Sequence, residues 1–238
     1  MARKLRITAI VVVVLVLVLA GCAYGTYTLM NSRTYQLFGD IVNRVDTSEK
    51  VVALTFDDGP TERTGEVLDI LGDADVPATF YVEGDQLTEY PEIGRRMVED
   101  GHELGNHTAS HRRMIFVSSE TVREEIESTD EAIRSVGYDG DITFRPPNGK
   151  KLYGLPRYLS DHGRTTVTWD VEPDSVSSPS TDEIVSSTVD QVRPGSIVLL
   201  HVMYPSREAS LAAVPGIIDG LKEHGYTFTT VSRLLDMR

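Results

Sequence analysis

The sequence predicts an α/β fold: a distorted (β/α) barrel of about seven parallel strands, preceded by an N-terminal membrane-anchor or lipoprotein signal segment. Three observations lead to this prediction. Short β-rich apolar runs alternate with amphipathic helical patterns from residue 51 onward, polar residues follow the ends of those runs, and a continuous apolar run lies near the N-terminus. A doubly wound open sheet is the competing arrangement of the same strands and helices.

The first residues are typical of an export signal or a membrane anchor. Arg3, Lys4 and Arg6 form a basic region, and residues 10–20 form a continuous apolar run. This order of a basic and then an apolar segment is shared by cleaved signals and by single membrane-spanning helices.

Cys22 closes the string Leu-Ala-Gly-Cys at residues 19–22, which resembles the lipobox of a bacterial lipoprotein. That resemblance implies cleavage before Cys22 and lipid attachment to its sulfur. The alternative is one uncleaved helix over about residues 5–30, with Cys22 as an ordinary apolar residue. Both alternatives anchor the remaining chain outside the cytoplasmic membrane of a bacterial cell.

Three segments follow from these patterns. Residues 1–30 are the signal, lipobox or transmembrane anchor; residues 31–50 are mixed and polar and form a linker or a short lead-in; residues 51–238 form one folded domain. The chain has a formal net charge of −13, which argues against nucleic acid as a partner. With only one cysteine, an intrachain disulfide is excluded.

The domain contains seven strand candidates and six helix candidates. The strands are predicted at residues 51–56, 78–82, 103–106, 142–144, 165–169, 196–200 and 227–230. The helices are predicted at about residues 64–74, 91–100, 119–136, 156–162, 181–191 and 211–224. The fifth helix begins with a capping-box pattern at residues 180–183, and Gly225 is a suitable stop for the sixth.

Residue types that carry catalysis collect directly after the predicted strands. Because the carboxyl ends of parallel strands meet on one rim, we expect these side chains to share one mouth. They are Asp57 and Asp58, His107 and His111, Arg145, the acidic group Asp170, Glu172 and Asp174, and His201.

His107 and His111 are four residues apart, so they can face one direction on a helical turn and bind one ion. One added carboxylate makes a two-histidine, one-carboxylate site with open positions, which is the layout of catalytic zinc. Asp57 and Asp58 are adjacent, and adjacent residues of an extended chain point to opposite sides. One aspartate is therefore expected on the metal and its neighbour near the attacking water.

Four strings, in order, resemble motifs of the polysaccharide deacetylase (NodB-homology) family. They are Thr-Phe-Asp-Asp-Gly-Pro at residues 55–60, the His107–His111 element, Arg-Pro-Pro-Asn-Gly at residues 145–149, and Leu-Leu-His at residues 199–201. The resemblance covers about residues 51–231, which makes residues 51–238 the catalytic domain. It implies a distorted barrel of seven strands and a divalent metal, usually zinc.

The resemblance also implies a role for each matched residue. Asp57 is the general base, Arg145 the group that orients it, and His201 the general acid. The metal ligands are Asp58, His107 and His111, and Thr108 supports the metal loop without binding the ion.

The fourth motif departs from the family pattern. Glu172 aligns best with the carboxylate that orients the catalytic histidine, Asp174 lies nearby, and no tryptophan follows Asp174. The partner of His201 is therefore open among Asp170, Glu172 and Asp174, and the sugar-binding groove is expected to be altered. His102, which precedes the third strand, is interpreted as a buried, hydrogen-bonded structural group.

Three functions are consistent with these residues. The leading one is a metal-dependent N-deacetylase that acts on an acetylated cell-surface polysaccharide, with peptidoglycan favoured by the external anchor. The second is an O-acetyl esterase, because ester hydrolysis uses the same metal and base but depends less on His201. The third is a glycan-binding module that has lost turnover, for which the altered fourth motif is the main sign.

Overall fold

A computed structural model of the chain describes residues 2–175 and 178–238. Its strands are β1 Ile41–Val42, β2 Val51–Gly59, β3 Thr79–Val82, β4 Glu103–Asn106, β5 Thr166–Val167, β6 Ser196–Leu200 and β7 Thr227–Thr229. Its α-helices are α1 Ala2–Asn31, α2 Thr64–Ala74, α3 Gly84–Glu89, α4 Pro91–Glu99, α5 Ser119–Ser135, α6 Gly154–Asp161, α7 Thr181–Gln191, α8 Glu208–Glu223 and α9 Val231–Leu235.

The strands pair in parallel throughout their ladders. Five of them form one sheet in the order β4-β3-β2-β6, with β7 beside β2, while β1 and β5 form a second sheet. Single-residue parallel bridges join Phe144 to Asn106 on β4 and to Thr166 on β5, and so link the two sheets. The parallel α/β class is confirmed, and closure into a barrel stays a prediction.

The strand predicted at residues 142–144 is wrong in extent, since the described chain has only the Phe144 bridges there. Pro146 and Pro147 follow after Arg145, and neither has a backbone N–H with which to continue a ladder.

The predicted capping box is confirmed: Ser180 and Glu183 each accept a hydrogen bond from the backbone N–H of the other. Gly225 follows the end of α8 with a φ of +80°.

Strand β2 is buried on both faces, which explains its unbroken apolar run. The even-numbered residues 52–56 pack against the helices, in one cluster with the inner faces of α2 and α8. Val51 and Ala53 pack on the opposite side. By the two-residue repeat of a strand, Thr55 and Asp57 continue that second face to the carboxyl end of the strand.

Residues 31–50 pack on the domain. Strand β1 pairs with β5, and Val42 and Val45 are buried in the cluster that contains Val51 and Ala53. Of the two interpretations, linker or lead-in, this packing favours the lead-in.

Helix α1 is long and apolar enough to cross a membrane, with a mean hydropathy of 2.8 and no part of its apolar window buried. Cys22 lies exposed on this helix. A signal sequence near an N-terminus has the same length and composition, so these properties alone do not distinguish an anchor from a signal.

His102 is a buried structural residue, as the sequence indicated. Its Nδ1 accepts a hydrogen bond from the backbone N–H of Ala78 at 3.2 Å, and its ring meets that of Phe80 edge-on. Burial lowers the pKa of His102 from 6.5 to about 4. As the pH falls, His102 therefore takes up a proton near pH 6.5 in the unfolded chain but only near pH 4 in the folded protein.

We expect acidification from pH 6.5 to 4 to reduce the free energy of unfolding through His102 by up to about 3 kcal/mol. The variant His102→Asn keeps an acceptor for Ala78 but has no ionisable ring. Its thermal midpoint should fall less steeply with pH over this range than that of the wild type. The exposed His224 provides the matched variant His224→Asn. Equal slopes in His102→Asn and wild type would contradict the assignment.

Candidate functional site

A cleft of about 390 Å³ opens at the carboxyl ends of the central strands. Six of the side chains singled out in the sequence line it: Asp57, Asp58, His107, His111, Glu172 and His201. Arg145, Thr108 and Asp174 are buried behind this lining. The expectation that the strand ends share one mouth is therefore met for these residues but wrong for Asp170, which bonds to Ser196 and Ile197 at the amino end of β6.

Asp57 is held from behind by Arg145. The fully buried Arg145 side chain donates from Nη1 to Asp57 Oδ1 and to Thr55 Oγ1, both at 2.7 Å, and from Nη2 to the carbonyl of Thr168. Its guanidinium carbon lies 4.0 Å from the ring centroid of Tyr81. These contacts fix the guanidinium, so that one oxygen of Asp57 is oriented while Oδ2 faces the cleft side.

Asp58 turns toward the two histidines. Its Oδ1 lies 3.4 Å from His107 Nε2 and 3.1 Å from His111 Nε2. Its φ is +66°, and the register of β2 against β3 shifts between residues 57 and 59. Because of this bulge the two carboxylates do not point to opposite sides: His107 Nε2 is also 3.7 Å from Asp57 Oδ2. The extended-strand expectation was wrong on this point.

The His107–His111 element is a loop, so the expected helical turn is also wrong. Thr108 and His111 have φ values of +70° and +54°, which a right-handed helix does not contain. The two imidazole rings still converge, with centroids 5.1 Å apart. Thr108 supports the loop through its backbone, since its N–H donates to Asn106 and its carbonyl accepts from Gly84.

Asp58, His107 and His111 fit a metal ion. Their ligand atoms all lie within 4.8 Å of one another. His107 Nδ1 donates to the carbonyl of Arg145 at 2.7 Å, since a carbonyl can only accept, and this leaves Nε2 toward Asp58. Asp58 Oδ1 is buried and has no well-formed hydrogen bond within the described residues. Two imidazole nitrogens and a carboxylate oxygen thus face one point, as ligands do.

The charge state of Asp58 suits this role. Burial alone raises its pKa, but the contacts with His107 and His111 lower it by more, so the net direction is well below the usual range for a carboxyl group. The carboxylate is therefore ionised at neutral pH.

Asp174 is the partner of His201. One of its oxygens lies 3.3 Å from His201 Nδ1, and the other accepts from the backbone N–H of His201 at 2.7 Å and from Ser210 Oγ at 3.1 Å. Burial lowers the pKa of His201, but the contact with Asp174 raises it by more, so the net direction is upward. Nε2 of His201 lies 3.8 Å from Asp58 Oδ2, on the cleft side.

The other two carboxylates of this segment have different partners. Glu172, which aligned best with the orienting position, accepts from Trp169 Nε1 and pairs with Arg33. Asp170 accepts from Ser196 Oγ and from the backbone N–H of Ile197.

Because the three carboxylates have different partners, their substitutions should have different effects. Asp174→Asn should reduce kcat by about 10²-fold, because His201 loses the carboxylate that orients and charges it. Glu172→Gln should leave kcat within about twofold, and Asp170→Asn should lower the thermal midpoint without an equal loss of kcat. Steady-state kinetics and thermal unfolding of the three proteins test this. A kcat loss larger in Glu172→Gln than in Asp174→Asn would reverse the assignment.

The sequence analysis did not single out every polar residue near the site, and Glu83 and Arg33 are examples. Glu83 follows β3 directly and is buried; burial raises its pKa, and His111 and His107 partly oppose that rise. The strand-end rule would have found it. Arg33 lines the cleft from a segment that carries no motif.

Comparison with known sequences gives three findings. The family model for polysaccharide deacetylase matches residues 44–167. A chitooligosaccharide deacetylase of Bradyrhizobium sp. (strain ANU 289) is 34% identical, covering 83% of this chain and 94% of its own. A peptidoglycan-N-acetylglucosamine deacetylase of Bacillus cereus is 33% identical, covering 83% and 93%.

Among solved structures, a family 4 acetyl xylan esterase from Clostridium thermocellum in complex with a cobalt ion is similar to this chain. The TM-score is 0.73 at 34% sequence identity, and the match covers 79% of this chain and 91% of the esterase chain. The parallel α/β arrangement is therefore shared with a metal-containing relative.

Proposed function

The chain belongs to the polysaccharide deacetylase family, and we propose that it is a metal-dependent hydrolase removing N-acetyl groups from amino sugars of a cell-surface polysaccharide. Peptidoglycan is the favoured polymer, since one relative is named for that substrate and α1 has the length and composition of an export signal or membrane anchor. One observation carries the proposal: Asp58 is grouped with two imidazoles, while Asp57 beside it is held by Arg145 and left free for proton transfer.

Asp58, His107 and His111 would hold the ion, for which zinc is our proposal. When bound there, a divalent ion supplies Lewis acidity toward the acetyl carbonyl and toward water. Asp57 takes the proton of the attacking water through the oxygen that Arg145 does not hold. Arg145 keeps that carboxylate in one orientation, so no reorganisation accompanies the transfer.

His201 protonates the leaving amine. An amine leaves poorly unless it receives a proton, and the raised pKa of His201 keeps a larger fraction of the ring charged near neutral pH. Because Nδ1 of the ring donates to Asp174, the proton delivered is that of Nε2, which faces the cleft.

The finer assignments form part of the same proposal. We propose that the parallel strands close into a distorted barrel, that residues 51–238 are the catalytic domain with residues 31–50 as its lead-in, and that residues 1–30 anchor it. The long apolar helix α1 supports an anchor, either as an uncleaved span or as a signal that ends in lipid attachment at Cys22.

Acetate release tests the function. Incubation with N-acetylated chito-oligosaccharide or peptidoglycan should yield acetate and free amine in equal amounts, and a chelator should abolish both. Acetate from acetyl esters alone would favour the O-acetyl esterase, which the likeness to an acetyl xylan esterase keeps as second candidate. Binding of glycan without acetate would support the third hypothesis, a module without turnover.

A further inference from the structure

The segment that follows α1 forms part of the cleft wall. Asn31 and Arg33 both line the cleft, although they precede residue 44, where the family match begins, and residue 51, the predicted start of the domain. The wall is therefore built partly from residues outside the recognisable catalytic sequence.

Arg33 contacts two other cleft residues. Its guanidinium carbon lies 4.6 Å from the ring centroid of Trp169, and its Nη2 donates to Glu172 Oε2 at 2.5 Å. The same oxygen accepts from Trp169 Nε1 at 2.7 Å. Oε2 of Glu172 thus accepts hydrogen bonds from both Arg33 and Trp169. We call these three residues the Arg33 wall.

The backbone under the Arg33 wall is fixed from two sides. Thr168 Oγ1 donates to the carbonyl of Arg33 at 2.6 Å. The backbone N–H of Lys151 donates to the carbonyl of Met30 at 3.2 Å, and its buried Nζ donates to the carbonyl of Ser32. The wall is consequently ordered before any ligand arrives, which reduces the entropy lost on binding.

The three side chains differ in how far solvent reaches them. The side chains of Glu172 and Arg33 are 15% and 44% exposed, and Trp169 is 5% exposed. Arg33 has five N–H donors in a planar fork, and the described contacts use one of its nitrogens. A planar, half-exposed donor group on an aromatic ring suits a sugar, whose hydroxyl and ring oxygens accept hydrogen bonds.

Resting on the proposed function, we propose that Arg33 is a substrate-positioning residue, which donates hydrogen bonds to an oxygen of the sugar unit next to the acetylated one. It thereby selects oligomeric over monomeric substrates. Since the catalytic groups do not depend on this contact, its loss should raise KM for an oligosaccharide and leave kcat nearly unchanged.

The test uses the full chain in four forms: wild type, Arg33→Ala, Arg33→Lys and the control Arg123→Ala. Arg123 is matched to Arg33, since its side chain is 48% exposed and pairs with Glu127 at 2.9 Å, but it lies on α5 away from the cleft. The substrates are N-acetylated chitotetraose and the small ester 4-nitrophenyl acetate.

Arg33→Ala should raise KM for the tetramer about tenfold, with kcat, ester hydrolysis, metal content and thermal midpoint near wild type. The KM of Arg33→Lys for the tetramer should lie between those of wild type and Arg33→Ala, because lysine keeps the charge but lacks the planar guanidinium. An unchanged KM in Arg33→Ala would overturn the proposal. An equal loss of efficiency in ester hydrolysis, or a loss of metal, would also overturn it, because either result would indicate a structural role for Arg33.

Failure of the proposed function is a separate outcome. If the wild type binds the tetramer without releasing acetate, the deacetylase assignment is wrong, and Arg33 is judged by the dissociation constant of the tetramer. About tenfold weaker binding in Arg33→Ala then supports the contact, and equal binding overturns it.

Discussion

Replacing Asp57 with asparagine is expected to reduce kcat by about 10³-fold while the protein keeps its metal. The amide cannot accept the proton of the attacking water, whereas the three proposed ligands Asp58, His107 and His111 are untouched. Acetate release and the metal-to-protein ratio, measured on the same preparation, provide the two readouts. Activity within tenfold of wild type would rule out Asp57 as the general base.

The same variant should be less stable. Arg145 is fully buried and Asp57 nearly so, with 2.7 Å between Nη1 and Oδ1, so the substitution leaves a buried guanidinium without its counter-charge. Loss of one partner of such a pair costs about 3 kcal/mol. Asp161→Asn is the matched control: its pair with Arg157 has a similar distance, 2.8 Å, but Asp161 is 52% exposed. That surface pair should contribute at most about 1 kcal/mol.

Replacing His107 with alanine is expected to remove the metal and, with it, at least about 10²-fold of the activity. His107 Nε2 is the buried member of the ligand set, and its ring is fixed by the carbonyl of Arg145, so no other side chain can take its place without a change of the loop. Elemental analysis after dialysis gives the metal content directly.

His162→Ala serves as the control for His107→Ala. His162 stacks on Tyr158 at the end of α6, with ring centroids 4.0 Å apart, and does not line the cleft. Treatment of the wild type with a chelator should reproduce the loss, and added Zn²⁺ should reverse it. A stoichiometric metal content in His107→Ala would show that the ion is held elsewhere.

Much of the site could be predicted from the sequence because its chemistry is local. Asp57 and Asp58 lie at the carboxyl end of β2, and His107, His111, Arg145 and His201 come after β4, the Phe144 bridges or β6. Parallel strand ends lie on one rim whatever the exact closure of the sheet. Short strings around them were enough to predict the shared mouth, and the structure brings these residues together.

Other features depend on backbone detail that local patterns do not contain. Asp58, Thr108 and His111 adopt positive φ without being glycine, so nothing in their residue type marks the bulge or the loop. Asp174, the partner of His201, is also held by a hydrogen bond from Ser210, which lies on α8 36 residues along the chain. Arg33 and Glu172 are 139 residues apart, and no local sequence pattern indicates that they are in contact.

Under the proposed anchor, the position of Asn31 would limit the reach of the cleft. It is the last residue of α1 and also lines the cleft. If α1 spans the membrane, the cleft opens at the bilayer surface. If the chain is instead held by lipid on Cys22, ten residues lie between Cys22 and Arg33, a tether of at most about 40 Å even when fully extended. In both cases the enzyme could modify only the glycan nearest the cell, leaving the outer strands acetylated.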